Sequence, residues 1–184
     1  HKRVPDRLII QTESYPNDAF ANWSLVNEYP YILGDFVWTA MDYLGESGIG
    51  RYYYPNEKPG EHWEGNFYPW HGAYCGDIDL IGWRKPISHY RSLLYHSTER
   101  LYMAVREPNP SNGPIKLTSW AVWPTWESWT WPGMESQPLE VEVYSRHQAV
   151  RLYLNDQLMG EHPTTQNEAF KATFMVPYQP GRLK

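Results

Sequence analysis

The sequence predicts an α/β segment followed by an all-β sandwich of immunoglobulin-like type, and three observations carry that reading. Residues 8 to 38 run apolar strand, amphipathic helix, apolar strand. From about residue 98 the hydrophobic period changes to two. Turn signals separate the short alternating runs that follow, as they do in sandwiches.

Leu8-Ile9-Ile10-Gln11-Thr12 is the first short run. Asn17-Asp18 is placed to cap a helix carrying Phe20, Trp23 and Val26 near one face. Tyr29-Pro30 ends it, because the residue before a proline avoids the helical region. Asp35-Phe36-Val37-Trp38 is the second run, expected to be buried. Two parallel strands joined by a helix belong to an α/β sheet or barrel covered on both faces.

Residues 46 to 76 hold neither period, yet contain Tyr52, Tyr53, Tyr54, Trp63, Phe67, Tyr68, Trp70 and Tyr74. So long a loop in a compact domain is usually functional or disordered, and its aromatic content argues against disorder. Lys85-Pro86 then opens a helix with Ile87, Tyr90, Leu93 and Leu94 inward, ending near His96. Beyond it, Leu101, Met103 and Val105 alternate with polar or small neighbours, as do Leu139, Val141 and Val143, then Val150, Leu152 and Leu154, then Phe170, Ala172, Phe174 and Val176. Asn155-Asp156 suits a hairpin turn.

Composition narrows the function. The chain has 184 residues, 16 Lys plus Arg and 21 Asp plus Glu, giving a net charge of −5. That balance argues against nucleic-acid partners that depend on phosphate neutralisation. No apolar run approaches the ~18 residues of a membrane span. Cys75 is the one cysteine, which excludes an internal disulfide and a paired-thiol metal or redox site. Aromatic residues make up 16% of the chain, ten of them Trp, an excess that suits flat partners with apolar faces. The chain opens at His1 without Met, and Arg182-Leu183-Lys184 starts an alternating strand. Both ends lead to the expectation of a piece of a longer chain.

Glu13 directly follows the first strand. In a parallel α/β barrel such a position faces substrate, although a solvated loop carboxylate is the plainer alternative. Trp38 holds the matching place after the second strand. Its indole there is suited to stack on the apolar face of a sugar ring; the competing role is a core tryptophan.

Ile10-Gln11-Thr12-Glu13-Ser14, followed by Gly34-Asp35-Phe36-Val37-Trp38-Thr39-Ala40-Met41-Asp42-Tyr43-Leu44-Gly45-Glu46, resembles strands seven and eight of the catalytic (β/α)8 TIM barrel of family 2 glycoside hydrolases. Within that family the nearest likeness is to Bacteroides-type multidomain β-galactosidases. Tyr68 to Gly82 resembles the segment that closes the barrel, and Trp129-Thr130-Trp131-Pro132-Gly133 with the later strands resembles the next, immunoglobulin-like domain. The resemblance covers essentially the whole chain. It implies that residues 1–97 are the C-terminal part of the barrel, well under half of a typical ~250-residue one. Residues 98–184 are then the sandwich, without its last strand.

The resemblance makes Glu13 the nucleophile of a retaining mechanism, which needs two carboxyl groups about 5 to 5.5 Å apart. The acid/base glutamate belongs to an Asn-Glu pair at the end of strand four, upstream of His1. Asn27-Glu28 is such a pair, but at a helix end. Residues 1–184 alone are therefore expected to be inactive. The implied reaction is hydrolysis of terminal β-galactosides, with β-glucuronides or β-mannosides as alternative sugars and a non-catalytic carbohydrate-binding or structural module as the alternative role.

Asp42, Tyr43 and Glu46 continue past strand eight and are candidates to bind sugar hydroxyls; Asp42 is equally suited to tying down its loop. His71 is a candidate for the site mouth, with Trp63 and Trp70 at its border or simply packed under the loop. No metal-ligand spacing accompanies His71, so neither cofactor nor metal is assigned, and a divalent or monovalent ion is left to the full-length enzyme. The expected partner is a carbohydrate, with a homo-oligomer of the full-length enzyme open. Trp120, Trp123, Trp126, Trp129 and Trp131 read as interface core or as a sugar platform, the former preferred.

Overall fold

The computed structural model describes residues 2–46, 48–61, 72–95 and 98–184. In chain order the regular elements are β1 (Ile9–Ser14), α1 (Ala19–Glu28), β2 (Ile32–Val37), β3 (Tyr43–Leu44), β4 (Tyr52–Tyr53), β5 (Gly72–Ala73), α2 (Pro86–Leu94), β6 (Leu101–Arg106), β7 (Lys116–Leu117), β8 (Thr125–Trp126), β9 (Pro138–Ser145), β10 (Ala149–Leu154), β11 (Gln157–Pro163) and β12 (Lys171–Pro177). They gather into two compact units. One comprises His1–Arg84 with Ile115–Val122, the other Lys85–Pro114 with Trp123–Lys184.

In the first unit β1 and β2 run parallel, with Gln11 opposite Asp35 and Ser14 opposite Val37, and α1 forms the crossover that parallel strands require. The ladder is irregular after Ile9, where Ile10 faces Gly34. Gly34 stands at φ 152°, which a side chain rarely adopts. Trp23, Asn22 and Ala19 form the buried stripe of α1, while Phe20 and Val26 are only half-buried. The expected cap differs. An N-cap normally has extended backbone, but the 3₁₀ turn Pro16–Asp18 has already begun the winding. Asp18 therefore sits at φ −92°, ψ −3°, and its side chain makes no capping bond. The C-terminal end is as expected, with Tyr29 extended before Pro30.

Phe36 and Ile10, expected in buried runs, are exposed, as are Leu8 and Leu33. The two-stranded sheet of β1 and β2 has no further strand beside it among the described residues to help cover them.

Within the long connection beyond β2, β3 pairs antiparallel with β5, while β4 pairs antiparallel with β7 from the later segment Lys116–Leu117. No period in the sequence announces pairs of two residues each. Gly76 lies so near the Asp42 backbone that an added Cβ would stand 2.2 Å from its nitrogen.

The second unit is built on one antiparallel sheet in the order β12-β9-β6-β8, with β10 and β11 as a separate hairpin. Val105, Leu139, Val141 and Val143 from the sheet share a core with Leu152 and Leu154 from the hairpin and with Ala172, Phe174 and Val176. This is the period-two pattern turned inward. Asn155 and Asp156 form the hairpin turn at φ 49° and 62°, the positive pair that a type I′ turn requires. Arg182–Lys184 lies antiparallel beside the hairpin: Tyr153 and Lys184 exchange backbone bonds of 2.9 and 3.0 Å, and Asn155 N–H donates to the Arg182 carbonyl at 3.1 Å. Helix α2 buries Ile87, Tyr90, Leu93 and Leu94 as its spacing predicts, and the Tyr90 hydroxyl donates to the Ala169 carbonyl at 2.7 Å.

Candidate active site

The parallel register brings the C-terminal ends of β1 and β2 side by side. Trp38 N–H donates to the Ser14 carbonyl at 2.8 Å, so Glu13, one residue earlier, and Trp38 stand on neighbouring strand ends. Glu13 is exposed and Trp38 half-buried.

Glu13 is held from its own strand. The Gln11 side-chain amide donates to the Glu13 carbonyl at 2.6 Å, and the Tyr15 hydroxyl donates to Glu13 Oε2 at 3.0 Å. Residues two apart on extended chain share a side, which is why Tyr15 reaches back. The Tyr15 ring stacks on Trp120 with centroids 4.5 Å apart and planes 5° from parallel. Burial, then the hydrogen bond to Glu13 and its charge, push the Tyr15 phenol above its ordinary value. It stays a protonated donor through neutral pH.

A second chain of bonds starts at Trp38. Its indole N–H donates to the Tyr43 hydroxyl at 3.2 Å, and the rings meet edge to face at 6.2 Å and 76°. Tyr43 in turn donates to Glu46 Oε2. Burial first, then the bond to Glu46, raise the Tyr43 phenol well above its ordinary value, against the opposing effect of the Trp38 bond.

Trp38, Tyr43 and Glu46 are thus joined by hydrogen bonds, with Glu13 at the adjacent strand end. Asp42 is buried, and its Oδ1 accepts the Gly76 N–H at 2.8 Å. Its N–H donates to the Ile78 carbonyl at 2.8 Å. At least one of its oxygens therefore secures the loop. His71, Trp63 and Trp70 lie outside the described residues. Among the described residues no group of three or more potential metal ligands gathers. No helix there is long and apolar enough to cross a membrane.

Two residues were missed by the sequence reading. Tyr15 had a signal, its two-residue spacing from Glu13. Trp120 had none, because it was grouped with the later tryptophans and its partner lies far back in the chain. Those later rings are engaged in the second unit. Trp123 and Trp126 donate to the Glu107 carbonyl and carboxylate at 2.8 and 2.7 Å. Trp129 donates to the Gln179 carbonyl at 3.0 Å, and both Trp129 and Trp131 pack on the core. All four rings are half-buried.

A crystal structure of a glycosyl hydrolase family 2 member from Bacteroides cellulosilyticus matches 99% of the chain at 34% identity and a TM-score of 0.82, using 23% of its own length. This chain resembles a segment of glycoside hydrolase family 2. A second family 2 structure from that species, strain DSM 14838, matches 99% of the family 2-like chain at 31% identity and a TM-score of 0.73, over 20% of its length. A Formosa agariphila protein named "Putative beta-glucuronidase" is 23% identical over 163 residues, 88% of this chain and 12% of that protein. Residues 136–184 match the family described as "Domain of unknown function (DUF4982)". The family 2-like chain therefore spans under a quarter of each of these relatives.

Proposed function

We propose that this chain supplies the nucleophile side of a retaining β-glycosidase acting on terminal β-galactosides. The observation that carries the reading is the bond between Trp38 N–H and the Ser14 carbonyl, which sets a carboxylate and an indole at adjacent ends of parallel strands. In α/β barrels that end of the strands holds the active site.

In this reading β1, α1 and β2 belong to the closing part of a (β/α)8 barrel spanning residues 1–97, and residues 98–184 form an immunoglobulin-like sandwich. Parallel strands are normally covered on both faces, so exposed Ile10, Leu33 and Phe36 suit strands that further barrel elements would cover. The sandwich reading draws support from the core shared by sheet and hairpin.

The chemistry follows in two steps. A Glu13 oxygen attacks the anomeric carbon as the glycosidic C–O bond breaks, and the leaving oxygen takes a proton from an acid/base glutamate upstream of this chain. Water then attacks the same carbon and gives its proton to that acid/base group. The pair of electrons in the ester bond returns to the Glu13 carboxylate. Without the acid/base partner, residues 1–184 alone turn over no substrate. Trp38 stacks on the sugar, Tyr43 and Glu46 bind its hydroxyls, and Asp42 supports the loop, with His71 at the mouth.

The described candidates Glu13, Trp38, Asp42, Tyr43 and Glu46 include no lysine or arginine, which suits a neutral sugar better than a uronate. The name of the Formosa agariphila relative favours the uronate instead. Hydrolysis of p-nitrophenyl β-galactoside and β-glucuronide by the full-length enzyme decides between them. A kcat/KM at least tenfold higher for the galactoside is expected. The reverse ratio would reassign the sugar.

A further inference from the structure

Tyr15 is more than a neighbour of Glu13. It follows β1 with extended backbone at φ −109° and ψ 163°, and its hydroxyl is the one side-chain donor to the Glu13 carboxylate among the described residues. Its ring is clamped against Trp120. Trp120, in turn, sits in a strap fastened to the rest of the first unit just before it. The Thr118 hydroxyl and N–H both donate to the Arg51 carbonyl, at 2.7 and 3.1 Å. Ser119 N–H donates to the Glu61 carboxylate at 3.0 Å, and β7 pairs with β4. Ala121 is buried just beyond. The strap thus carries one flat ring to the back of the phenol that bonds Glu13.

We propose that Tyr15, fixed by Trp120, is a positioning residue that holds Glu13 Oε2 and speeds release of the sugar from Glu13. The proposal rests on Glu13 being the nucleophile. With Oε2 held by Tyr15, Oε1 is the oxygen that attacks. In the free carboxylate Oε2 carries part of the negative charge; in the glycosyl ester it is a neutral carbonyl oxygen. A hydrogen bond to a charged acceptor is roughly twice as strong as one to a neutral acceptor. Tyr15 therefore stabilises the carboxylate relative to the ester. As water attacks the anomeric carbon and the bond to Oε1 breaks, the electron pair returns to a carboxylate already bonded by Tyr15. The phenol itself keeps its proton throughout.

The test uses the full-length enzyme with 2-deoxy-2-fluoro-β-galactosyl fluoride and its glucuronyl counterpart as probes. Trapping rate, recovery rate and labelled residue are measured for the parent and for Tyr15→Phe, Trp120→Ala and Trp120→Phe. Tyr15→Phe keeps the stacked ring and removes only the hydroxyl. Recovery is expected to slow roughly tenfold, as suits loss of a hydrogen bond to a charged group, while trapping, which starts from the carboxylate, is unchanged or faster. Trp120→Ala should show the same bias and Trp120→Phe should largely restore the parent behaviour. Label on Glu13 with recovery unchanged, or with trapping and recovery slowed equally, in Tyr15→Phe overturns the role of Tyr15 alone. Parent rates in Trp120→Ala overturn the role of Trp120. Label on another carboxylate overturns the nucleophile and this proposal together.

Discussion

In the proposed role Glu13 attacks through one carboxylate oxygen while the other is held. Tyr15 bonds Oε2, and Glu13 is otherwise exposed. Removing the carboxylate should leave a vacancy of defined stereochemistry. Glu13→Ala in the full-length enzyme is expected to lose at least ~10³-fold in kcat, the scale of losing a nucleophile. Sodium azide should then restore leaving-group release and yield the α-glycosyl azide, because it enters from the face Glu13 vacated. A β-glycosyl azide would place attack on the opposite face and contradict the assignment. The sequence puts Glu13 and Trp38 just past two strands; the first strand runs one residue past Glu13, to Ser14, so Glu13 lies within β1 and Trp38 just past β2. The links joining Trp38, Tyr43 and Glu46 were not legible in it, since a hydrogen bond between loop side chains leaves no periodic trace.

At the scale of elements, the loop after β2 is fixed by a close backbone approach. Asp42 Oδ1 accepts the Gly76 N–H, and an added Cβ at Gly76 would meet Asp42 N at 2.2 Å and Met41 C at 2.4 Å. These are backbone atoms, so a local rotamer change cannot relieve the clash. Gly76→Ala should cost on the order of 3 kcal/mol, in the upper range for overpacking. Thermal denaturation should show a melting temperature several degrees lower, and parent-like melting would contradict the packing described. Strands β6, β9, β10 and β12 and both helices were readable because each turns a face to a core. β11 was not picked out as an alternating run, for its side chains are mostly exposed and lack the pattern. The pairs β3–β5 and β4–β7 are too short to display a period. Phe36 reversed the expectation of a buried run because apolar character reports what a strand is made to bury, and not what this chain has to cover it.

For the molecule as a whole, a parallel β-α-β unit and an antiparallel core were each foreseeable from hydrophobic period alone, β-strands reading at two and helices near 3.6. Their joint order carried the family resemblance. The sugar was less legible, since barrel active sites draw side chains from the ends of several strands and β1 and β2 supply two. Three residues, Glu13, Tyr15 and Trp120, now form one proposed device, and the strap that brings Trp120 depends on contacts far apart in sequence. The most direct measurement is mass spectrometry of peptides from the full-length enzyme after reaction with a 2-deoxy-2-fluoro-β-glycosyl fluoride. The account predicts a single fluoroglycosyl ester on Glu13. An ester on any other carboxylate would contradict it.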